Sequence, residues 1–484
     1  MTERALHWFR NDLRLADNPA LAEAVEAGPV LCLYILDSGS DRRAIGGASH
    51  WWLSRSLAAL TEALAAKGGR LVLMQGDPAT LLPRIVAEAA IGLVTWNRRY
   101  EATEIALDRR LKEELTGGGT DVRSFNSHLL NEPWQVTTTT GQPMKVFTPY
   151  WRAARLKGEP DAPIAAPQRI PALSLPASIE ALAVSREDLG LEPKTPDWAG
   201  GMRAAWTPGE AGAAARLDDF LGSGLGGYAE GRDRPDRKAT SRLSPHLHFG
   251  EIGPRQVWHA LHHARAIGEA AGSERDAEKF LSEIGWREFS HHLLFHNPEL
   301  ATRNYDSRFD AFPWQPDETA LRRWQCGQTG IPLVDAGMRE LWTTGWMHNR
   351  MRMVVASFLI KHLLQDWRAG EAWFWDTLVD ADAANNAASW QWVAGSGADA
   401  SPYFRIFNPV TQGETHDPRG TYVRQWVPEL AELSDRDIHQ PWKAPEKTLR
   451  EAGVRIGETY PAPLVDLAFG RQRALDAFAA IRNG

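Results

Sequence analysis

Four stretches between residues 240 and 392 carry polar and aromatic side chains at spacings that could hold a ligand. The first, residues 240–245 (TSRLSP), places hydroxyl groups just before a proline that can open a helix. Hydroxyls and the free N–H groups of a helix start can together bind a phosphate. An ordinary helix N-cap accounts for the same residues when this stretch is considered alone.

The second stretch, residues 283–289 (EIGWREF), combines a carboxylate, an indole and a guanidinium. Glu283 and Arg287 are four residues apart, so on a helix they share a face, with Trp286 alongside. The commoner interpretation of this spacing is a surface salt bridge. The alternative is a carboxylate that hydrogen-bonds a base edge while the indole stacks beneath the base.

The third stretch, residues 345–353 (GWMHNRMRM), is polar but continues directly into the apolar residues 354–360. Helical spacing puts Asn349, Arg352 and Met353 on one face and Arg350 on a neighbouring one. A solvated helix start is one interpretation. The apolar continuation favours polar groups that point inward, and a buried arginine requires a polar partner.

The fourth stretch, residues 380–392 (DADAANNAASWQW), contains two aspartates, an asparagine pair and two tryptophans. The small residues between them would let a flat ligand approach the backbone. Two aspartates make a metal conceivable, but no histidine neighbours them in the sequence, so we predict no metal site. Together the four stretches predict a wide, flat, polar ligand inside a helical domain.

The composition excludes several classes of protein. Two cysteines, Cys32 and Cys326, cannot form a disulfide framework or a four-cysteine iron–sulfur cluster, and they fit a reducing cytoplasm. No apolar run reaches ~18 residues, so we expect no membrane span. The net charge of −7 argues against a nucleic-acid partner unless basic residues cluster locally. The chain contains 21 tryptophans, and so many indole rings could serve base stacking, cofactor stacking or electron transfer. For any single tryptophan, packing in the core is a sufficient explanation.

The elements that position these residues change character along the chain. Up to about residue 133, short apolar runs alternate with amphipathic stretches, which predicts a doubly wound α/β domain with a parallel sheet and without a Gly-rich dinucleotide turn. Residues 134–212 are rich in proline and glycine and predict a connector wrapped on the surface. Residues 213–484 show helical periodicity and predict an all-α domain. Its predicted helices include residues 254–271, residues 318–326 with Asp317 as the cap, and residues 349–365.

These segments, in this order, resemble the DNA photolyase/cryptochrome family, in particular its class I and class III cyclobutane pyrimidine dimer photolyases. Residues 7–15 (HWFRNDLRL) and 403–408 (YFRIFN) extend the resemblance to nearly the whole chain. It implies a Rossmann-like antenna domain and a helical domain that encloses a U-shaped FAD.

The resemblance also implies roles for individual residues. Asn386 would face flavin N5, where a neutral amide favours the protonated, reduced ring. The FAD phosphates and ribose would be held by Tyr228, Thr240, Ser241, Leu243 and Ser244, and the flavin and adenine by Phe280, Arg287, Asn349, Arg352, Asp380 and Asp382. Electrons would pass along Trp390, Trp367 and Trp314.

For the substrate, the resemblance implies that Trp286 and Trp392 sandwich a flipped dimer while Glu283 hydrogen-bonds it. Met353 occupies the position that is typically histidine in enzymes for the (6-4) photoproduct; a thioether cannot donate a proton, which favours the cyclobutane dimer. A basic rim that grips DNA phosphates would consist of Arg232, Arg237, Lys238, Arg350 and Arg405.

A second, antenna chromophore is the part on which the resemblance says least. Glu104 keeps the acid of a folate-binding pair, but Thr103 and Thr302 depart from that pattern. Trp51 and Trp52 are similar to residues of class III members that bind 5,10-methenyltetrahydrofolate, although packing of helix on sheet explains them as well. We favour folate, with a flavin-type antenna or an empty site as alternatives.

The predicted activity is therefore light-driven repair of UV-damaged DNA by a deoxyribodipyrimidine photo-lyase, a monomer without an obligate protein partner. The closest alternative is a cryptochrome-type blue-light photoreceptor, which would be expected to alter the substrate pocket. A non-photochemical flavoprotein is more distant, because the Gly-rich fingerprint is missing and the helical half is rich in tryptophan.

Overall fold

The computed structural model describes residues 3–39, 43–399 and 404–482. Residue 403, which belongs to one of the segments that carry the resemblance, lies outside these ranges. Among the described residues, no helix combines the length and the apolar character that crossing a membrane requires.

A five-stranded parallel sheet forms the N-terminal region, in the order β3-β2-β1-β4-β5. Alternation of buried strands with helices makes neighbouring strands parallel, because each helical crossover carries the chain back to the end of the sheet at which the strands begin. The strands are β1 (Ala5–Phe9), β2 (Val30–Asp37), β3 (Leu71–Gly76), β4 (Leu93–Asn97) and β5 (Asp121–Phe125). The helices are α1 (Pro19–Ala27), α2 (Gly47–Ala66), α3 (Pro78–Glu88) and α4 (Ala102–Gly117).

The segment that follows β5, predicted as a connector on the surface, forms helices and contributes buried residues. It forms three short helices, α5 (Phe147–Arg155), α6 (Ala177–Glu180) and α7 (Gly200–Ala205). Ile170 and Ile179 are fully buried and join the hydrophobic cores on the two faces of the sheet. The connector therefore contributes core residues to the N-terminal region.

The C-terminal half is helical, as its periodicity predicts. Its largest core lies between the helices that follow residue 317. The helices are α8 (Glu210–Asp219), α9 (Tyr228–Gly231), α10 (Ser244–His248), α11 (Pro254–Ala266), α12 (Glu274–His296), α13 (Glu318–Gln325), α14 (Pro332–Thr344), α15 (Asn349–Ser357), α16 (Trp367–Thr377), α17 (Ala383–Ala394), α18 (Pro409–His416), α19 (Thr421–Trp426), α20 (Glu446–Glu451) and α21 (Leu467–Arg482).

Several predicted helix bounds are wrong by a few residues for identifiable reasons. We predicted one helix over residues 349–365, but α15 ends at Ser357 and a π-helical turn follows over Phe358–His362. We predicted that α11 continues to residue 271, whereas Gly268 at φ 78° cannot continue a right-handed helix. The predicted Asp317 cap of α13 is confirmed, because its carboxylate accepts from Ala320 N.

Buried polar bonds join the sheet region to the helices. The Arg14 guanidinium donates to the carbonyl of Gly250 at 2.9 Å and to that of Ser127 at 3.0 Å. Trp52 Nε1 donates to Glu251 at 3.0 Å, and Glu251 also bonds His246. Because these groups are buried, the two parts of the chain meet across hydrogen bonds from which water is excluded.

Candidate active site

A cavity of about 460 Å³ lies among the helices of the C-terminal half. Helices α12, α15 and α17 supply much of its wall, and residues 241–248 supply the rest of one side. Eleven of the twelve residues implied for FAD line it: Tyr228, Ser241, Leu243, Ser244, Phe280, Arg287, Asn349, Arg352, Asp380, Asp382 and Asn386. Thr240 is the exception and does not line the cavity.

An ion pair between Arg352 and Asp380 stands in the cavity wall. Arg352 Nη2 donates to Asp380 Oδ2 at 2.8 Å, which gives this partly buried arginine the polar partner that the sequence analysis expects. The other carboxylate oxygen, Oδ1, is buried and has no hydrogen-bond partner among the described residues. An N–H donor of a bound ligand would satisfy it, and the isoalloxazine ring carries one.

Asp382 begins α17 and fixes its start. One carboxylate oxygen accepts from the backbone N–H groups of Ala384 and Asn385, which caps the helix. The other oxygen lies 3.5 Å from His248 Nδ1 and 3.6 Å from His291 Nε2. Burial alone would raise the pKa of Asp382, but the two histidines and Arg287 hold it well below its usual value. The group therefore presents a stable negative charge.

His128, His291 and Asp382 form a cluster with ligand atoms within 4.8 Å of one another. Arg287 Nη2 contacts His128 Nε2 at 2.6 Å, and Arg287 Nη1 donates to the His128 carbonyl at 2.7 Å. A guanidinium inside the cluster repels a divalent cation, so the geometry suits an anionic or neutral ligand better than a metal.

The amide of Asn386 is oriented by residues that the sequence did not single out. Asn386 Nδ2 donates to Glu371 Oε1 at 2.8 Å and to the Glu371 carbonyl at 3.1 Å. With Nδ2 engaged, Oδ1 is the atom that can accept a hydrogen bond from a ligand. Glu371 is itself held by Arg43 at 2.8 and 2.9 Å. An arginine of the N-terminal region thus fixes an amide in the helical cavity.

The four residues implied for the substrate all line the same cavity: Glu283, Trp286, Met353 and Trp392. The surface salt bridge between Glu283 and Arg287, one of the two interpretations of their spacing, does not form. Glu283 bonds Arg232 instead and lies 3.8 Å from Lys279 Nζ, because Arg287 turns toward His128. Trp286 stacks on Phe147 with ring centroids 3.8 Å apart and planes 10° apart.

The three tryptophans implied for electron transfer differ in exposure. Trp390 lines the cavity and is almost fully buried, Trp367 is fully buried, and Trp314 is partly exposed. Trp367 Nε1 donates to Asn304 Oδ1 at 2.9 Å, which fixes the indole. This gradient from cavity to surface suits the proposed order, and the redox role stays a prediction.

The predicted basic rim is partly neutralised by carboxylates. Arg350 pairs with Asp233 at 2.9 Å, and Arg232 bonds Glu283. Arg237, Lys238 and Arg405 are exposed. Phosphate binding at this rim would therefore compete with the Arg350–Asp233 ion pair.

A second cavity, about 470 Å³, opens at the carboxyl ends of β1, β2 and β4, where the strand order reverses. Glu104 lines it and pairs with Arg99. Trp51 and Trp52 do not line it: both are buried beneath the sheet, and Trp52 packs on Trp206 and Phe249. Their role toward an antenna chromophore stays a prediction. Packing of helix on sheet, the alternative interpretation, explains these two rings.

Comparison with known proteins supports the geometry. Residues 5–169 match the family described as DNA photolyase, and residues 280–480 match the FAD binding domain of DNA photolyase. A deoxyribodipyrimidine photo-lyase of Agrobacterium fabrum is 52% identical over 483 residues, covering 100% of this chain and 99% of the relative. Cryptochrome-1 of Arabidopsis thaliana is 39% identical, covering 99% of this chain and 72% of the relative.

Among solved structures, a bacterial class III photolyase from Agrobacterium tumefaciens superposes with a TM-score of 0.95 at 51% identity. The match covers 100% of this chain and 98% of that one. Both halves of the fold therefore match one family. The chain belongs to the DNA photolyase/cryptochrome family.

Proposed function

We propose that the protein is a deoxyribodipyrimidine photo-lyase that repairs cyclobutane pyrimidine dimers in DNA. The observation that carries the proposal is a single cavity lined both by the residues implied for FAD and by Glu283, Trp286, Met353 and Trp392. FAD, when bound and reduced, would supply the light-excited electron that splits the dimer. The protein supplies position and electrostatics.

The substrate side of the cavity suits a flipped, flat lesion. Two indoles offer faces on which the dimer can stack. Arg232 holds the Glu283 carboxylate in the wall, where it can accept a hydrogen bond from a pyrimidine N–H. Met353 carries no proton to donate, which favours a cyclobutane dimer over a lesion whose repair needs an acid.

The remaining details are proposals as well. DNA would bind through Arg237, Lys238 and Arg405 on the exposed rim, and through Arg350 once it leaves Asp233. The second cavity would hold the antenna chromophore, with 5,10-methenyltetrahydrofolate favoured over a flavin. A monomeric, cytoplasmic protein that needs no protein partner completes the prediction.

A cryptochrome-type photoreceptor is the second candidate, because a plant cryptochrome is 39% identical over nearly this whole chain. Light-dependent repair by the wild-type protein discriminates between the two, and Glu283→Gln tests the role assigned to that carboxylate. Losing one charge-assisted hydrogen bond to the lesion should lower repair of a thymine-dimer oligonucleotide about tenfold. Glu278→Gln is the matched control, because Glu278 also lies on α12 and pairs with an arginine but does not line the cavity.

Equal repair by wild type and Glu283→Gln would contradict the assigned role of Glu283. A wild-type protein that binds FAD, responds to light and repairs nothing would favour the photoreceptor. The flavin should be reduced before the assay, so that an oxidised cofactor is not mistaken for an inactive enzyme.

A further inference from the structure

Helix α5 packs on α12 at the turn that carries Trp286. Gly285 permits this approach, because a Cβ at that position would lie 2.6 Å from the Trp151 ring of α5, closer than any ordinary carbon contact. The two helices therefore meet directly beside the predicted substrate-binding residues. Helix α5 belongs to the connector, for which the sequence indicated no functional role.

Phe147, the first residue of α5, covers one face of Trp286. The ring centroids are 3.8 Å apart and the planes differ by 10°, the closest ring pair among the described residues. Trp286 also lines the cavity, so the face opposite Phe147 is the one that a substrate can reach. Stacking on Phe147 restricts the tilt and the depth of that indole.

Asp399 holds Phe147 in turn. Its Oδ2 accepts from the Phe147 backbone N–H at 3.0 Å. The residue that precedes α5, Val146, makes no side-chain cap, so Asp399 satisfies an N–H of the first helical turn from a distant part of the chain. Asp399 follows α17, the helix that carries Trp392, and itself lines the cavity. This bond adds a polar link between the wall that holds Trp286 and the wall that holds Trp392, whose helices α12 and α17 also pack directly on each other.

We propose that Phe147 and Asp399 are positioning residues that set the place of Trp286 opposite Trp392 and thereby the gap into which the lesion stacks. The inference rests on the proposed function, since it assumes a substrate between the two indoles. Neither residue needs to touch the reacting bonds. Their effect is on recognition of the lesion.

The test compares four full-length, FAD-loaded proteins: wild type, Phe147→Ala, Phe147→Tyr and Phe147→Leu. The dissociation constant is measured for a thymine-dimer oligonucleotide and for the same undamaged sequence, with FAD content and melting temperature as checks on folding. Phe147→Ala should weaken binding of the dimer about fivefold to tenfold and leave undamaged DNA unchanged. Phe147→Tyr keeps the ring and should restore binding, whereas Phe147→Leu, which fills space without a ring, should not.

Asp399 is tested with a second pair of variants. Asp399→Ala removes the acceptor and should weaken dimer binding in the same direction as Phe147→Ala, whereas Asp399→Asn keeps an acceptor oxygen and should bind the dimer like wild type.

Wild-type affinity for the dimer in Phe147→Ala, or equal rescue by leucine and tyrosine, would overturn the positioning role. An equal loss for damaged and undamaged DNA would overturn it too, because the effect would then be on the fold. If wild type itself shows no preference for the dimer, the proposed function fails first, and that outcome is visible in the same assay.

Discussion

Gly370 allows Trp390 to reach its place beside the cavity, and replacing it should reveal how tightly that indole is held. Gly370 lies in α16, and a Cβ there would stand 2.5 Å from Cζ3 of Trp390 and 2.7 Å from Cζ2, with Cη2 nearer still. Ordinary carbon contacts are about 3.5–4.0 Å. In Gly370→Ala the indole must therefore move by roughly 1 Å or more.

Two opposing effects decide how much Gly370→Ala changes the free energy of unfolding. Replacing a helical glycine by alanine normally raises the free energy of unfolding by about 0.5–1 kcal/mol, because the unfolded chain loses conformational freedom. Overpacking a filled core costs about 1–3 kcal/mol. Trp390 is almost fully buried against Phe374 and Trp324, so it has little room to yield and the larger cost applies. We therefore expect Gly370→Ala to lower the free energy of unfolding by about 2 kcal/mol.

Thermal unfolding of the FAD-loaded protein measures this loss. A loss of about 2 kcal/mol corresponds to a fall in melting temperature of roughly 4–8 °C for a domain of about 250 residues, which is near the size of the helical half of the chain. Gly117→Ala is the control, because Gly117 ends α4 in an exposed position and an added Cβ meets nothing within 4 Å. A Gly370→Ala protein that melts at or above the wild-type temperature would refute the reasoning.

Three further predictions follow from buried groups. Burial raises the pKa of Glu288 to about 7, above its value in the unfolded chain. The free energy of unfolding should therefore fall by up to ~3 kcal/mol as the pH rises from about 4.5 to 7. In urea titrations at several pH values, Glu288→Gln should show a weaker dependence of that free energy on pH. Arg352→Ala leaves the buried Asp380 carboxylate without its ion-pair partner and should lower the free energy of unfolding by about 3 kcal/mol. This variant should lose FAD on gel filtration, whereas Arg352→Lys should retain it. Trp367→Phe should slow light-driven reduction of the flavin, followed by absorbance, without loosening the cofactor.

The sheet and most helices could be predicted from sequence because their burial patterns are periodic. Strands buried on both faces and separated by amphipathic helices indicated the parallel sheet correctly. Helix α17 was not predicted as a helix, although its residues were singled out. It packs against both α12 and α16, so its apolar and small residues surround the axis and leave no amphipathic stripe.

The candidate site could be predicted only where its residues lie close in sequence. The face shared by Asn349, Arg352 and Met353 follows from helical spacing, and all three line the cavity. Phe147 and the Arg43–Glu371 pair could not be found in this way. Arg43 and Glu371 are 328 residues apart, and no local pattern indicates contacts that only the packing of the two halves creates.

Repair of a defined thymine-dimer oligonucleotide under blue or near-UV light tests the central claim most directly. The protein is reduced beforehand, and a dark sample and a (6-4) photoproduct substrate are run in parallel. We predict light-dependent restoration of the thymine dimer alone, with no product in the dark. Flavin that is bound and responds to light while neither lesion is repaired would contradict the assignment of a photolyase.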